Sequence, residues 1–323
     1  MLPMSAIPLR PDPARANASD QIARLRAAVG SAVHGKGRCV DLALATVLAG
    51  GHLLLEDVPG VGKTTLASAL ARAVGGSFAR IQFTPDLLPS DLLGVNMLEP
   101  GTTRFVFRKG PVFANVVMAD EINRTTPKTQ SALLEAMEEG SVSTDGETRA
   151  LPQPFLVVAT QNPFDHHGTW PLPESQLDRF LMRVNLGYPD REAERAVLRR
   201  EGLRAELPSA AVTTDDVLAL REQAQRVTLA PDIEDFVLDL TRGSRETPRL
   251  VRGVSTRGAQ ALVRAMKGWA LVHGRTYCVP EDVRDVAGPV LGHRVIPRSD
   301  AGPGGDGGSR AIQALIDELP ARW

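Results

Sequence analysis

Cysteine is nearly missing from this 323-residue chain: Cys39 and Cys278 lie far apart, with no metal-ligand neighbours beside them. That excludes a disulfide framework and a structural zinc cluster, and it makes a reducing cytoplasm the expected compartment. An excess of one charge is missing too. Lys and Arg total 37 against 38 Asp and Glu, a net charge of −1, so no overall basic field points to nucleic acid. No apolar run is long enough to span a bilayer. The opening "MLPMSAIPLRPDPARANASD" has neither the apolar core nor the residue order of a secretory leader, so direct membrane insertion is not expected. No internal repeat is visible. What remains, 43% apolar and 23% charged, is the make-up of a soluble globular protein with room for two domains.

The first 16 residues, rich in Pro, Arg and Ala, are expected to be a loosely ordered segment. From Ser19 a helical period runs through "QIARLRAAVGSAV", and a second helix, "CVDLALATVLAG", stops at Gly50-Gly51. Short apolar runs then alternate with amphipathic stretches: "HLLLED", "FARIQF", "NVVMADE", "PFLVVATQN" and "RFLMRVNLGY" read as strands. Such alternation predicts an α/β fold whose parallel sheet is covered by helices on both faces. Beyond Pro189 only helical patterns remain. The expected division is therefore an α/β core at 17–189 and a small all-α domain at 190–323, which includes a Gly-rich connector at 299–309.

Within the first strand–turn–helix unit stands "LLLEDVPGVGKTTLA". It follows the pattern G-x-x-x-x-G-K-[ST], except that Asp57 occupies the first glycine position. Backbone N–H groups of Pro-Gly-Val-Gly turns at a helix start form an anion cradle, so Gly60, Val61, Gly62 and Thr65, with Pro59 shaping the turn, are candidate phosphate contacts. Lys63 would reach the β- and γ-phosphates, and the Thr64 hydroxyl would ligand Mg²⁺. The position held by Asp57 is the one least involved in holding phosphate, and Asp tolerates unusual turn dihedrals.

One strand–helix unit later, "VVMADE" ends on Asp120 and Glu121. In a P-loop ATPase the first acid holds Mg²⁺ and the second polarises the attacking water. "VVATQNP" leaves Asn162 at the end of another strand, where an amide would orient that water. Two segments interrupt the core: "TPDLLPSDLLGVNMLEPGTTRFVFRKG" and "GSVSTDGETRALPQP", the second a hairpin turning at Asp145-Gly146. His166 and His167 beside Asp165 are sequence neighbours that point apart, which makes a metal site there a poor reading. Trp170 reads as a packing anchor.

These stretches, with "GPVFANVVMADEINRTTPKTQSALLEAMEE", "LPESQLDRF" and "GVSTRGAQALVRAMKGWALVHGR", make the sequence resemble an AAA+ ATPase, more narrowly the MoxR family, from about Ile22 to Ile296. The resemblance implies a five-stranded parallel AAA+ sheet sandwiched by helices, followed by an all-α lid. It implies ATP and Mg²⁺ as cofactors and assembly into a ring, a hexamer by family habit. Arg179 matches the arginine finger. Arg257 matches the lid's sensor arginine, where Thr256 stands in place of the motif's frequent Pro; its action in cis or in trans stays open. Arg124 is an intersubunit contact or a solvated residue. The two interruptions correspond to insertions that face the ring pore in this clade, one in the second helix and one before the sensor strand. Family habit also implies a partner carrying a von Willebrand factor A domain and a chaperone-like role in maturing client complexes or inserting metal or cofactor. The competing expectations are a nucleic-acid motor of the same clade and an ATP-gated scaffold with little hydrolysis.

Overall fold

The apolar runs build a five-stranded parallel sheet, in a computed structural model that describes residues 13–58, 60–162, 168–189, 191–198, 210–298 and 306–319. Two helices come first, α1 (Pro13–Ala32) and α2 (Gly37–Leu48). Helix α1 begins inside the stretch expected to be loose, six residues ahead of Ser19. Proline is favoured in a first turn, and the Ala-rich sequence after it propagates the helix.

The core follows as β1 (Leu53–Glu56), α3 (Lys63–Ala73) and β2 (Phe78–Gln82), then the first insertion, comprising α4 (Pro89–Leu93) and the antiparallel pair β3 (Gly94–Leu98) and β4 (Phe105–Lys109). Strand β5 (Val116–Asp120) leads through one 3₁₀ turn to α5 (Pro127–Glu139). The second insertion is the hairpin β6 (Ser141–Thr144) and β7 (Glu147–Ala150). Its turn puts Asp145 at φ 53° and Gly146 at φ 81°, the two left-handed residues a tight hairpin requires. Strand β8 (Leu156–Gln161), the short α6 (Glu174–Leu177) and β9 (Met182–Val184) complete the sheet in the order β2-β5-β8-β1-β9.

Every other residue of the central strands turns to the same side. Leu53, Leu55, Val116, Met118, Leu156 and Val158 join one core with α1, α2 and α3. Leu54, Val117, Ala119, Val157 and Ala159 join another with α5 and the insertions. A sheet buried on both faces explains why its strands read as unbroken apolar runs rather than as alternation.

The rest is mainly helical: α7 (Arg191–Leu198), α8 (Thr214–Gln225), α9 (Pro231–Glu246), α10 (Thr256–Val272), α11 (Pro280–Leu291) and α12 (Gly307–Glu318). Their starts carry the expected chemistry. Thr213 and Asp216 form a capping box, and Ser255 accepts from the Gly258 amide. A short antiparallel pair, β10 (Leu250–Arg252) with β11 (Ile296–Pro297), sits among these helices. It is too short to have declared a period in the sequence.

Helix α10 lies directly on α2. A methyl group on Gly268 would stand 2.6 Å from the Ala45 carbonyl oxygen, so the two helices approach at a distance only glycine permits. Residues of α8 to α12 consequently belong to the same continuous core as α1, α2 and one face of the sheet. Among the described residues no helix is long and apolar enough to cross a membrane.

Candidate functional site: two edges of one sheet

The C-terminal ends of β1, β5 and β8 are neighbours in the sheet, and each carries candidate residues. The turn after β1 runs into α3 with Gly60 at φ 87° and Gly62 at φ 100°. Added side-chain carbons there would meet nothing within 4 Å, so backbone conformation and not crowding demands glycine. The open space above these glycines faces the positive end of α3, which suits an anion. Lys63 opens that helix, and its Nζ donates to the carbonyls of Asp57 at 2.6 Å and Val58 at 2.9 Å. Burial lowers the Lys63 pKa, opposed by Asp57, Asp120 and Glu121. Thr64 is half-buried and Thr65 exposed in the same turn; Pro59 lies outside the described residues.

Strand β5 is buried throughout and delivers Asp120 to this edge. Asp120 accepts from the Thr160 hydroxyl at 2.7 Å and from Arg80 Nη2 at 2.6 Å. Thr160 in turn accepts from the Glu121 amide at 2.8 Å, so one hydroxyl fixes both acids. Glu121 has φ 57°, a left-handed conformation that turns its side chain out of the strand direction. Its carboxylate accepts from Gln82 at 2.9 Å and pairs with Arg124 at 3.2 Å. Arg124 therefore has an ion-pair partner within its own chain. Asn162 is half-buried directly beyond β8. His166 and His167 lie outside the described residues, and among those described no group of His, Cys, Asp and Glu could hold a metal alone.

A magnesium–nucleotide complex fits these residues. Left-handed glycines leave a cradle for phosphate, an ammonium stands beside it, and Asp120 and Thr64 offer hard oxygen donors. Mg²⁺ in such sites takes only one or two protein ligands and completes its shell with phosphate and water, so an all-protein cage is not required.

The arginines are elsewhere. Gly50, Gly51 and His52 precede β1, at the opposite edge of the sheet, and they line a cleft of about 510 Å³ with Arg179, Arg257, Arg264 and Arg294. Arg179 Nη2 meets Glu138 Oε2 at 2.7 Å, and Arg257 Nη2 donates to Glu138 Oε1 at 2.8 Å. Glu138 lies in the last turn of α5, which has run back from the acidic edge to this one. The hydrogen bond that Arg257 donates to Glu138 raises the Arg257 pKa. Beneath them the buried Arg294 donates to Asp178 at 2.6 Å and to the Phe180 carbonyl at 2.7 Å, fixing the turn that carries Arg179. The length of β1, about 13 Å at the usual rise per residue, separates this cluster from the phosphate loop. Trp170, about a third exposed, is held by backbone bonds, its amide to Asn123 and its carbonyl from Gln130.

Several contributors escape the motifs. Arg80 and Gln82 are alternate residues of β2, with Gln82 in register beside Asp120. Glu138 and Arg294 come from separate parts of the chain. The only trace of the first pair in the sequence is the presence of polar residues in an otherwise apolar strand.

Comparison with known proteins agrees with this architecture. Residues 52–182 match the model of the ATPase family associated with various cellular activities (AAA), and residues 242–316 match the AAA lid domain. The chain is 43% identical to the chaperone MoxR1 of Mycobacterium tuberculosis, over 83% of this chain and 73% of that one. It is 35% identical to the protein MoxR of Paracoccus denitrificans, over 93% and 96%. A crystal structure of a chain from Cytophaga hutchinsonii, described as a candidate ATPase, superposes with a TM-score of 0.85 at 37% identity, covering 95% and 96%. With the AAA core and lid both present and relatives of this similarity along most of its length, the chain belongs to the MoxR family of AAA+ ATPases.

Proposed function

We propose that this protein hydrolyses ATP at sites shared between adjacent subunits of a ring, and that turnover drives chaperone-like remodelling of client proteins. The observation that carries the shared site is the separation of the two sheet edges. A chain whose phosphate loop and acids stand at one edge and whose arginines stand at the other cannot bring both to one nucleotide. A neighbour packed head to tail can, and head-to-tail contacts close into rings.

In that arrangement Lys63 would leave the loop carbonyls for the β- and γ-phosphates, and Thr64 and Asp120 would hold Mg²⁺. The cation would neutralise charge on the phosphate oxygens. Glu121 polarises the attacking water and Asn162 orients it. Arg179 and Arg257 come from the next subunit, both in trans, and stabilise charge that develops during transfer. The remodelling role is supported by the name of the mycobacterial relative, a chaperone. A von Willebrand factor A domain partner and maturation or metal insertion in a client complex are what family resemblance supports, and the scarcity of cysteine supports cytoplasmic residence.

The test is Mg²⁺-dependent ATPase activity across a range of protein concentrations. Specific activity should rise with concentration and vanish in Arg179→Ala. Activity independent of concentration would overturn the shared site.

A further inference from the structure

The unexpected Asp57 of the phosphate loop makes two side-chain contacts that a glycine could not. Its Oδ1 accepts from the Val58 amide at 2.9 Å, and its Oδ2 accepts from the Gly187 amide at 2.6 Å. Gly187 lies in the connector of residues 185–189, through which the chain leaves the sheet after β9. The β1–β9 ladder ends at Leu55 opposite Val184. Past that point the chains diverge, Gly187 turning away at φ 65°. A side chain takes over where the backbone ladder stops.

The junction is reinforced on both sides. Glu56, one residue earlier, pairs with Arg183 of β9 at 3.1 Å, and Lys36 donates to the Tyr188 carbonyl. On its backbone side Asp57 receives Lys63 Nζ at 2.6 Å, while its amide donates to the Gln161 carbonyl at 3.2 Å. One residue thus joins the lysine of the phosphate loop to the strap that leads into α7. An ionised carboxylate that accepts from two amides holds each more firmly than a neutral acceptor would.

We propose that Asp57 is a positioning residue that transmits the occupancy of the phosphate loop to the connector and helix that follow β9. When Lys63 moves from the Asp57 and Val58 carbonyls to phosphate, the start of the loop relaxes. Asp57 carries that displacement to Gly187. The inference rests on the nucleotide-binding reading above and adds to it a mechanical link.

The experiment compares the full-length wild-type protein with Asp57→Gly and Asp57→Asn. Three quantities are measured: affinity for fluorescent mant-ATP, steady-state kcat and KM, and hydrogen exchange of peptides covering the connector and α7 with and without Mg²⁺–AMP-PNP. Asp57→Gly restores the common loop residue. It should bind mant-ATP within about threefold of wild type, lose about tenfold in kcat with little change in KM, and show no nucleotide-dependent protection of the connector. Asp57→Asn keeps the shape and one acceptor oxygen, so its losses should fall between. It also decides the matter if the glycine variant does not fold.

Wild-type turnover and protection in both variants would overturn the link. Loss of mant-ATP binding in both would also overturn it, by making Asp57 a requirement of the loop itself. A wild-type protein that binds no mant-ATP would sink the nucleotide reading together with this proposal, whereas wild-type binding with unaltered variants would sink this one alone.

Discussion

Arg179 and Arg257 meet on one carboxylate, the first on Oε2 of Glu138 at 2.7 Å and the second on Oε1 at 2.8 Å. One comes from the turn before β9 and the other from the first turn of α10. Sharing an anion places their guanidinium groups side by side on a single face, which is how two groups must stand if both are to reach one phosphate of a neighbour.

Mixing experiments follow from that pairing. Arg179→Ala should retain nucleotide but lose turnover by a factor on the order of 10³. Mixed with Lys63→Ala protein it should regain part of its activity, because some interfaces then join an intact loop to intact arginines. Mixed with Arg257→Ala it should regain none, since no interface would present both arginines. Recovery in this second mixture would assign Arg257 to its own subunit's nucleotide.

Glu121→Gln keeps the side-chain shape while removing the charge proposed to polarise water. The expected protein binds ATP, turns it over at least about a hundredfold more slowly and retains unhydrolysed nucleotide through gel filtration. Wild-type turnover in this variant would remove Glu121 from the chemistry.

If Asp120 holds magnesium as proposed, Arg80 competes with it for the same carboxylate. The pair is close, at 2.6 Å, but Arg80 is half exposed, so its worth is at most about 1 kcal/mol. Arg80→Met should therefore lower the Mg²⁺ concentration for half-maximal activity by up to about fivefold. A titration curve that does not move would mean that Mg²⁺ and Arg80 do not share the carboxylate.

His52 gives a pH dependence with a defined sign. Its Nδ1 accepts from the Val157 amide at 3.0 Å and its Nε2 faces the Met137 carbonyl at 3.2 Å, and burial lowers its pKa to about 4. The folded state keeps the ring neutral while the unfolded chain protonates near the ordinary value of about 6.5. Its contribution is complete above that value and is lost as pH falls through about 4, with a ceiling of roughly 3 kcal/mol. Urea denaturation of wild type should show this fall, and His52→Gln should be weaker at pH 7 but shallower in its decline. Equal slopes would place the titration on other groups, His293 among them.

The glycine turn into α3 and the acids at the end of β5 were legible as places, because Gly62-Lys63-Thr64 and Asp120-Glu121 are contiguous residues at fixed spacing. The parallel sheet was legible for a similar reason: burial on both faces leaves Leu53 to Leu55 and Val116 to Met118 with no polar interruption. Thr160, Gln82, Glu138 and Arg294 were not legible, since each acquires its partner only through tertiary approach across tens of residues. Pro13 and the three residues after it read as part of a loosely ordered start because composition was weighed there without helix-start chemistry.

Gly268 carries a practical consequence. Because Gly268 brings α10 against the Ala45 carbonyl of α2, the lid helices serve as the second wall of the first core and not as a detachable flap. Cutting the chain after β9 would strip that wall from α2 and lay bare apolar surface, so the ATPase core is not a separable reagent. Heat should melt both parts in one transition, and a bulky residue at position 268 should destabilise the sheet as much as the lid.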